Sequence, residues 1–165
     1  ALVRLMVQND FKLQSLKSMQ GKLWKAGYES GKLKGHIYAD FVPLLHWCKA
    51  QGVHVHIYSS GSVQAQKLLF GNTSQGDLTE YLSSHFDIST SGNKKQATSY
   101  AAIAKSLQVD ASEIVFVSDA EAELVAAQEA GIGHPIMSIR PGNAPLTDAA
   151  KPFAQVFSLM QLCGL

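Results

Sequence analysis

The sequence predicts an open parallel α/β sheet with right-handed crossover connections. Short apolar segments alternate with segments of helical periodicity along most of the chain, which is typical of βαβ units. Two of the apolar segments end abruptly in small polar or acidic residues, as strands do when they lead into a ligand-binding loop. The length of 165 residues, of which 46% are hydrophobic and 16% charged, suits one domain with its own core.

The first strand is predicted at residues 53–58, where β-branched and aromatic residues alternate before the polar turn of residues 59–62. Apolar residues at helical spacing predict a helix at 40–51 before this strand and another at 63–70 after it. A helix followed by a strand is half of a βαβ unit.

The same alternation continues through the second half of the chain. The predicted elements there are a helix at 100–107, a strand at 113–117, a helix at 121–130, a strand at 135–139, and a closing strand and helix within 146–165. The run at 113–117 is short and wholly apolar at its centre, which favours a buried parallel strand.

Residues 1–37 differ in character from the rest of the chain. Apolar residues from Leu13 to Trp24 recur at helical spacing, and a stretch rich in Gly and Lys follows at residues 30–35. We interpret this segment as helical hairpin material outside the sheet, part of an inserted subdomain.

Composition and charge exclude several classes of function. Lys and Arg total 14 against 13 for Asp and Glu, so a net charge of +1 offers no extended basic surface to nucleic acid. Cys48 and Cys163 have no metal-ligand spacing, which argues against a zinc module or disulfide scaffold and fits a reducing compartment. No apolar run approaches the roughly 20 residues of a membrane span, and no signal peptide pattern opens the sequence. We therefore expect a cytoplasmic protein that binds neither nucleic acid nor membrane.

Polar residues at the ends of two predicted strands are the candidates for chemistry. Ser59 and Ser60 follow the first strand, and Ser118 and Asp119 follow the second-half strand. Because ligands bind at the carboxyl ends of parallel strands, we expect these two ends to be neighbours. Hydroxyl and backbone N–H donors suit a phosphate, whereas the carboxylate suits a hard cation such as Mg²⁺.

Each of these residues also has a purely structural interpretation. The residues after the first strand can form an ordinary turn and helix cap, and Asp119 can be an N-cap. Lys94 can be a solvated loop lysine, as we expect Lys95 to be. Ser99 and Tyr100 can cap and begin the next helix.

The order and spacing of these residues favour the functional interpretation. Lys94 lies 35 residues after Ser59, and Asp119 follows after 25 more. This set resembles the later motifs of the haloacid dehalogenase-like phosphatases. Several longer stretches make the resemblance specific to one family within this superfamily: residues 57–71, 76–78, 20–28, 92–94, 99–100 and 140–144. Together they are similar, over nearly the whole chain, to the acireductone synthase family, the enolase-phosphatases of methionine salvage.

The resemblance implies a fold and an activity. The fold would be a Rossmann-like parallel sheet of the haloacid dehalogenase type, with residues 1–37 as part of a helical cap and residues 38–165 as the phosphatase core. The enzyme would be Mg²⁺-dependent and monomeric. It would enolise 2,3-diketo-5-methylthiopentyl-1-phosphate and then hydrolyse the phosphate to give the acireductone.

The resemblance also assigns roles to individual residues. Ser59 and Ser60 would hold the phosphoryl group or the substrate, and Lys94 would neutralise the phosphoryl oxygens during transfer. Asp119 would be a Mg²⁺ ligand, preceded by Ser118 where the family leads us to expect threonine. Glu123 would help to orient that site.

One motif of the superfamily is absent from this sequence. Members attack phosphate with an aspartate at the end of a first strand, in the pattern Asp-x-(Asp or Glu)-Gly-Thr, and no such segment precedes the predicted cap. Three explanations remain open: the sequence is a piece of a longer enzyme, the segment belongs to a separate chain, or the protein is an inactive homologue that binds phosphate or a partner. A sheet without its central strand would expose an apolar edge, so we favour an enolase-phosphatase whose N-terminal part lies outside this sequence.

Overall fold

Helices and short parallel strands alternate along the chain, as the sequence predicts. The computed structural model describes the fold of residues 14–164 and the side chains of residues 21–164. The helices are α1 (Gln14–Glu29), α2 (Phe41–Gln51), α3 (Val63–Gly71), α4 (Ile88–Ser91), α5 (Ala97–Leu107) and α6 (Glu121–Glu129). The strands are β1 (Val55–Tyr58), β2 (Leu82–Phe86), β3 (Val115–Ser118), β4 (His134–Ser138) and β5 (Ala154–Val156). The fold class predicted from the sequence is therefore confirmed.

The described chain divides into two units. One groups residues 14–37 with residues 64–79, and the other contains residues 38–63 and 80–164. The sequence divides the chain at the same point after residue 37, but it assigns residues 64–79 to the α/β part. In the first unit, α1 is one helix followed by irregular chain; residues 1–13 of the expected hairpin lie outside the described residues.

The first pair of strands contains one that the sequence analysis missed. β1 pairs in parallel with β2, with Ile57 opposite His85 and Tyr58 opposite Phe86. β2 carries two buried apolar residues, Leu82 and Phe86, separated by polar ones. This low apolar content is why hydrophobic patterning alone gave no strand at this position.

The remaining strands form a separate parallel sheet in the order β3-β4-β5. β1 and β3 are therefore not hydrogen-bonded neighbours within residues 14–164. The two strand ends that the sequence analysis expects to be neighbours therefore belong to separate sheets within the described chain. Within that range, each of the two strands is paired on one side only.

The core of the second unit forms around α6 and the three-stranded sheet. One buried cluster contains Tyr100, Ala126, Ala127 and Ile132, and a second contains Leu124, Met137, Ala150 and Phe153. Phe116 of β3 packs against both clusters and joins them. The alanines let α6 lie close to the sheet, so this helix and its N-terminal end are fixed in position.

Two predicted strands begin later than expected because caps take up their first residues. Gly52 adopts a left-handed conformation at the end of α2, and Val53 N–H donates to the Cys48 carbonyl at 2.8 Å. This pattern is a Schellman motif, which satisfies the last carbonyls of a helix. Before β3, Asp110 caps a 3₁₀ turn at Ala111–Glu113. Conversely, α5 begins three residues before the predicted helix.

The C-terminal part closes with a strand and a turn. β5 is the predicted closing strand, but Leu159–Gly164 is a 3₁₀ segment where the sequence predicts a helix. Phe153 and Val156 are buried, whereas Phe157 is 64% exposed. Among the described residues, no helix is long and apolar enough to cross a membrane.

Candidate active site

The ammonium group of Lys94 lies between residues from β1 and α6. Lys94 Nζ is 2.6 Å from Glu123 Oε2, and their side chains are only 20% and 14% exposed. The same nitrogen lies 5.5 Å from the ring centroid of Tyr58, the last residue of β1. Lys94 is therefore held in a partly buried ion pair, and the solvated-loop interpretation is wrong for it. Lys95 is exposed, as expected.

Glu123 is itself oriented by the end of β3. Ser118 Oγ donates to Glu123 Oε2 at 2.7 Å and accepts from the Ala120 N–H at 3.2 Å. The hydroxyl thus connects the turn after β3 to the carboxylate that pairs with Lys94. Serine performs this link with a side chain that is almost fully buried.

The loop that carries Lys94 is tied to α5. Ser99 Oγ donates to the Asn93 carbonyl at 2.7 Å, and Tyr100 Oη donates to the Lys94 carbonyl at 2.6 Å. Both residues are buried inside α5 rather than at its cap, which corrects the expectation that they cap and begin the helix. Their side chains fix the backbone of Lys94.

Burial and charge keep two tyrosines neutral in this region. Burial raises the pKa of Tyr58, a hydrogen bond with Ser99 opposes this, and the nearby Glu123 carboxylate adds to it. Burial, then the charge of Glu123, also raises the pKa of Tyr100. The tyrosines therefore act as hydrogen-bond donors, and Lys94 and Glu123 carry the charge among the side chains of this network.

The turn after β1 presents two hydroxyl groups. Ser59 is half-buried and its N–H donates to the Phe86 carbonyl at 3.1 Å, so it extends the pairing of β1 with β2. Ser59 Oγ accepts from the Gly61 N–H at 3.2 Å, which shapes the turn. Ser60 is exposed at the tip.

A carboxylate that the sequence analysis missed fixes this turn from the other side. Asp87 follows β2, is 6% exposed, and its Oδ2 accepts from the N–H of Val63, the first residue of α3, at 2.9 Å. Its Oδ1 accepts from Ser89 Oγ at 2.6 Å and Thr90 N–H at 2.9 Å. Although burial would raise the pKa of Asp87, these hydrogen bonds lower it to about 2. An acidic residue directly after a strand would have marked Asp87 as a candidate, but the sequence analysis did not recognise β2 as a strand.

Asp119 stands apart from the ion pair and has a different partner. It is exposed at the turn between β3 and α6, and its Oδ2 accepts from Asn143 Nδ2 at 2.9 Å. It does not cap α6 with its side chain: the N-cap position belongs to Ala120, without a side-chain hydrogen bond. The N-cap interpretation of Asp119 is therefore wrong.

The structure brings some of the predicted residues together. Lys94, Ser118 and Glu123 form one hydrogen-bonded network, and Tyr58 connects it to the strand that precedes Ser59. Asp119 joins a second network through Asn143. Both networks lie at the carboxyl ends of β1 and β3, where parallel sheets bind ligands.

The chemistry of the donors at this site suits a magnesium ion. Among the described residues, no group of three or more His, Cys, Asp or Glu side chains could hold a metal. Mg²⁺, however, is usually bound by one or two carboxylates together with phosphate oxygens and water. Asp119 offers one such hard oxygen ligand, exposed and oriented by an amide.

Comparison with known proteins identifies the family. The sequence pattern of the haloacid dehalogenase-like hydrolases matches residues 13–131, well over half of the chain. The chain belongs to this hydrolase family. The α/β fold and the network around Lys94 lie largely within the matched residues.

Two curated proteins and one solved structure are similar to this chain over most of its length. Enolase-phosphatase E1 of Drosophila willistoni is 44% identical over 156 residues, which are 94% of this chain and 62% of that protein. A probable bifunctional methylthioribulose-1-phosphate dehydratase/enolase-phosphatase E1 of Oryza sativa subsp. indica is 50% identical over 151 residues, 90% of this chain and 28% of that protein. The crystal structure of the UTR4 protein of Saccharomyces cerevisiae has a TM-score of 0.82 and 40% identity, and the match covers 95% of this chain and 71% of that one. This haloacid dehalogenase-like chain thus spans less than two thirds of the length of the fly and rice proteins.

Proposed function

We propose that this chain is the larger part of a Mg²⁺-dependent enolase-phosphatase of methionine salvage. Its substrate would be 2,3-diketo-5-methylthiopentyl-1-phosphate and its product the acireductone. The observation that carries this proposal is the similarity to enolase-phosphatase E1 over 94% of the chain, in a fold that buries the Lys94–Glu123 pair at the sheet end.

The nucleophile of this enzyme would come from a strand between β1 and β3. Within residues 14–164 both strands are paired on one side only, and Tyr100 packs edge-on against Tyr58 of β1 and Phe116 of β3 at 5.6 and 5.0 Å between ring centroids. An added parallel strand would pair with both open edges and end near Ser59 and Ser118. An aspartate there would attack phosphorus and expel the enolate oxygen, and water would then hydrolyse the aspartyl-phosphate.

Lys94 would stabilise charge on the transferring phosphoryl group. An ammonium group has three N–H donors, and Glu123 engages one side of it. The remaining donors would contact the equatorial oxygens, where a fixed cation lowers the barrier most. Ser59 and Ser60 would supply hydroxyl donors to the same group.

Asp119 would hold the metal ion together with a carboxylate from the added strand. A Mg²⁺ ion held there would supply positive charge that neutralises the negative charge of the phosphoryl oxygens. The Asp119 carboxylate needs only one of its oxygens for Asn143, so lone pairs remain for a cation.

The remaining expectations belong to the same proposal. Residues 1–37 would be part of a helical cap subdomain, residues 38–165 would be the phosphatase core, and the enzyme would be a cytoplasmic monomer. Its partner would be the small phosphorylated diketone, without nucleic acid or membrane.

The test compares two adjacent lysines in the complete enzyme, which on this proposal would include the nucleophile strand. Phosphate release from the diketone phosphate is measured with Mg²⁺ for Lys94→Ala and Lys95→Ala. We expect kcat to fall by at least about 10²-fold for Lys94→Ala, because one electrostatic stabiliser is lost. Lys95 is exposed, so its variant should retain wild-type turnover.

A second variant separates an enzyme from a binding protein. Asp119→Asn should lose nearly all Mg²⁺-dependent turnover, since the metal site loses a charged ligand. A wild-type protein that binds phosphate but releases none from the diketone phosphate would instead identify an inactive homologue. Equal rates for the two lysine variants would reject the role of Lys94.

A further inference from the structure

We propose that Asn143 is a positioning residue that orients the Asp119 carboxylate for a divalent cation. This inference rests on the proposed function, because it concerns the metal site of the same reaction. Asn143 lies in the loop after β4, 24 residues beyond Asp119, and its amide is the neighbour that donates to Asp119 Oδ2, at 2.9 Å.

The orientation of the Asn143 amide is determined on both sides. Its Oδ1 accepts from the Arg140 N–H at 2.5 Å, and a backbone N–H is always a donor. The oxygen must therefore face Arg140, which leaves the NH₂ group facing Asp119. An ionised carboxylate only accepts hydrogen bonds, so the contact is satisfied in one orientation alone.

The backbone that carries Asn143 is a tight turn. The Asn143 N–H donates to the Arg140 carbonyl at 3.1 Å, and Gly142 has a φ of 92°. Pro141 at the second position and a glycine with positive φ at the third are typical of a type II turn. The residues between Arg140 and Asn143 thus leave the amide little freedom to move.

The first residue of the turn is anchored in the core of its unit. Arg140 Nη2 is 2.6 Å from Asp40 Oδ2, in an ion pair that is 12% and 15% exposed. Its Nη1 donates to the Phe157 carbonyl at 3.1 Å, and the guanidinium lies 4.6 Å from the Tyr38 ring centroid. The turn is consequently fixed at its start, and Asn143 transmits that position to an otherwise exposed carboxylate.

Fixing one oxygen of Asp119 has a defined effect on a metal ligand. An exposed carboxylate rotates freely, and a small cation that requires near-octahedral geometry must stop this rotation when it binds. The hydrogen bond from Asn143 restricts the carboxylate beforehand. Outer partners of metal ligands typically contribute about 10- to 100-fold in metal affinity.

The test measures Mg²⁺ affinity of the complete enzyme by isothermal titration, with Mg²⁺ alone as the probe. Asn143→Ala removes both side-chain hydrogen bonds of the amide. Asn143→Ser keeps a short acceptor for the Arg140 N–H but no longer reaches Asp119. We expect the dissociation constant for Mg²⁺ to rise about 10- to 100-fold in both variants. In turnover assays, added Mg²⁺ should restore most of kcat, since the ligand itself remains.

Thr147→Ala is the matched control. Thr147 lies in the same loop, but its Oγ1 donates to a different carboxylate, Glu121 Oε2 of α6, at 2.5 Å. This variant should bind Mg²⁺ as the wild-type protein does. Thermal unfolding of every variant verifies that the fold is retained.

Three results would overturn the inference. The first is wild-type Mg²⁺ affinity in both Asn143 variants. The second is a loss of Mg²⁺ affinity in Thr147→Ala that equals the loss in the Asn143 variants. The third is a loss of affinity in Asn143→Ala that is absent from Asn143→Ser, because the effect would then come from the turn and not from the bond to Asp119. A wild-type protein that binds no Mg²⁺ would overturn it as well. The proposed function fails separately, through absent turnover in the wild-type enzyme.

Discussion

Lys94 and Glu123 form an ion pair whose energy is set by its surroundings. Both side chains are mostly buried, and their charged atoms are 2.6 Å apart. In such a place the attraction mainly offsets the cost of removing two charges from water, so the net stabilisation of the pair is modest. Removing one member is costly because the other charge remains without its partner.

Glu123→Gln tests this pair without changing its size. We expect the free energy of unfolding to fall by roughly 1–3 kcal/mol, since Lys94 keeps its charge and loses its carboxylate. In the complete enzyme, kcat should fall by about tenfold while KM changes little, because the misplaced ammonium matters most in the transition state. Urea unfolding and steady-state kinetics measure the two effects.

The matched control for this variant is Glu129→Gln. Glu129 is an exposed residue of the same helix, α6, so its replacement should leave both stability and kcat unchanged. A Glu123→Gln enzyme that keeps wild-type kcat would show that Lys94 needs no carboxylate to stay in place.

Among the elements, α4 is the shortest of the described α-helices, and the residue before it also bonds to the end of the turn after β1. Its capping residue Asp87 accepts hydrogen bonds from Thr90 in α4 and from Val63 in α3. One carboxylate therefore fixes the starts of two helices. The turn that presents Ser59 lies between β1 and the start of α3.

Asp87→Ala should disturb this turn from a distance. Two backbone N–H groups lose their acceptor, so we expect a loss of about 2 kcal/mol in the free energy of unfolding. The KM for the phosphorylated substrate should rise in the complete enzyme, because the turn loses its support. Asp110→Ala is the control, because Asp110 also caps a short turn but is exposed and distant in sequence from Ser59. This variant should lose less free energy of unfolding than Asp87→Ala, and its KM should be unchanged.

The elements differ in how far the sequence could predict them. β1, β3 and β4 consist of consecutive apolar or alternating residues, and their local pattern predicts them within two residues. β2 has polar residues at its centre and becomes a strand through pairing with β1, which no local pattern contains. β1 and β3 begin later than predicted because the hydrogen bonds of neighbouring caps engage the residues that were expected to start these strands.

The candidate site was predictable where a motif carries it and not where partners meet from afar. Ser59, Lys94 and Asp119 follow from their spacing and from resemblance. The partner of Asp119 is Asn143, and Val63 meets Asp87 from 24 residues away. Such contacts depend on how the chain folds back, and turn-forming residues give no sign of them beforehand.

At the scale of the whole second unit, a half-buried carboxylate near the start of the unit bonds to residues near its C-terminal end. Asp40 Oδ2 accepts from Arg140, from Ser158 Oγ at 2.9 Å and from the Leu159 N–H at 2.8 Å. Burial alone would raise the pKa of Asp40, but the hydrogen bonds from these groups and the charge of Arg140 lower it. Asp40 was expected only as the edge of a helix, and it makes no side-chain cap there.

The lowered pKa values predict how stability depends on pH. A carboxylate whose pKa is lower in the folded state binds fewer protons there, so its contribution is complete above its usual pKa and is lost on acidification. For Asp87, this loss falls between about pH 4 and pH 2 and amounts to about 2 kcal/mol. Asp40 acts in the same direction. Urea unfolding at pH 6, 4 and 3 should show a free energy of unfolding that becomes smaller as the pH is lowered.

Variants test whether these two groups cause the acid sensitivity. Asp87→Asn and Asp40→Asn should each start less stable at pH 6 and lose less on acidification than the wild-type protein. Glu129→Gln should follow the wild-type curve. An unchanged slope in both aspartate variants would assign the acid sensitivity to other carboxylates.

The contacts of Asp40 also bear on the order in which the second unit folds. They connect Asp40 with Arg140, Ser158 and Leu159, which lie 100, 118 and 119 positions further along the chain. By contrast, β3, α6 and β4 are joined by short connections. Closing so long a loop costs entropy that only an already formed core can repay. We expect Asp40 to engage after the folding barrier has been crossed, so that it governs how long the folded state lasts rather than how fast it is reached.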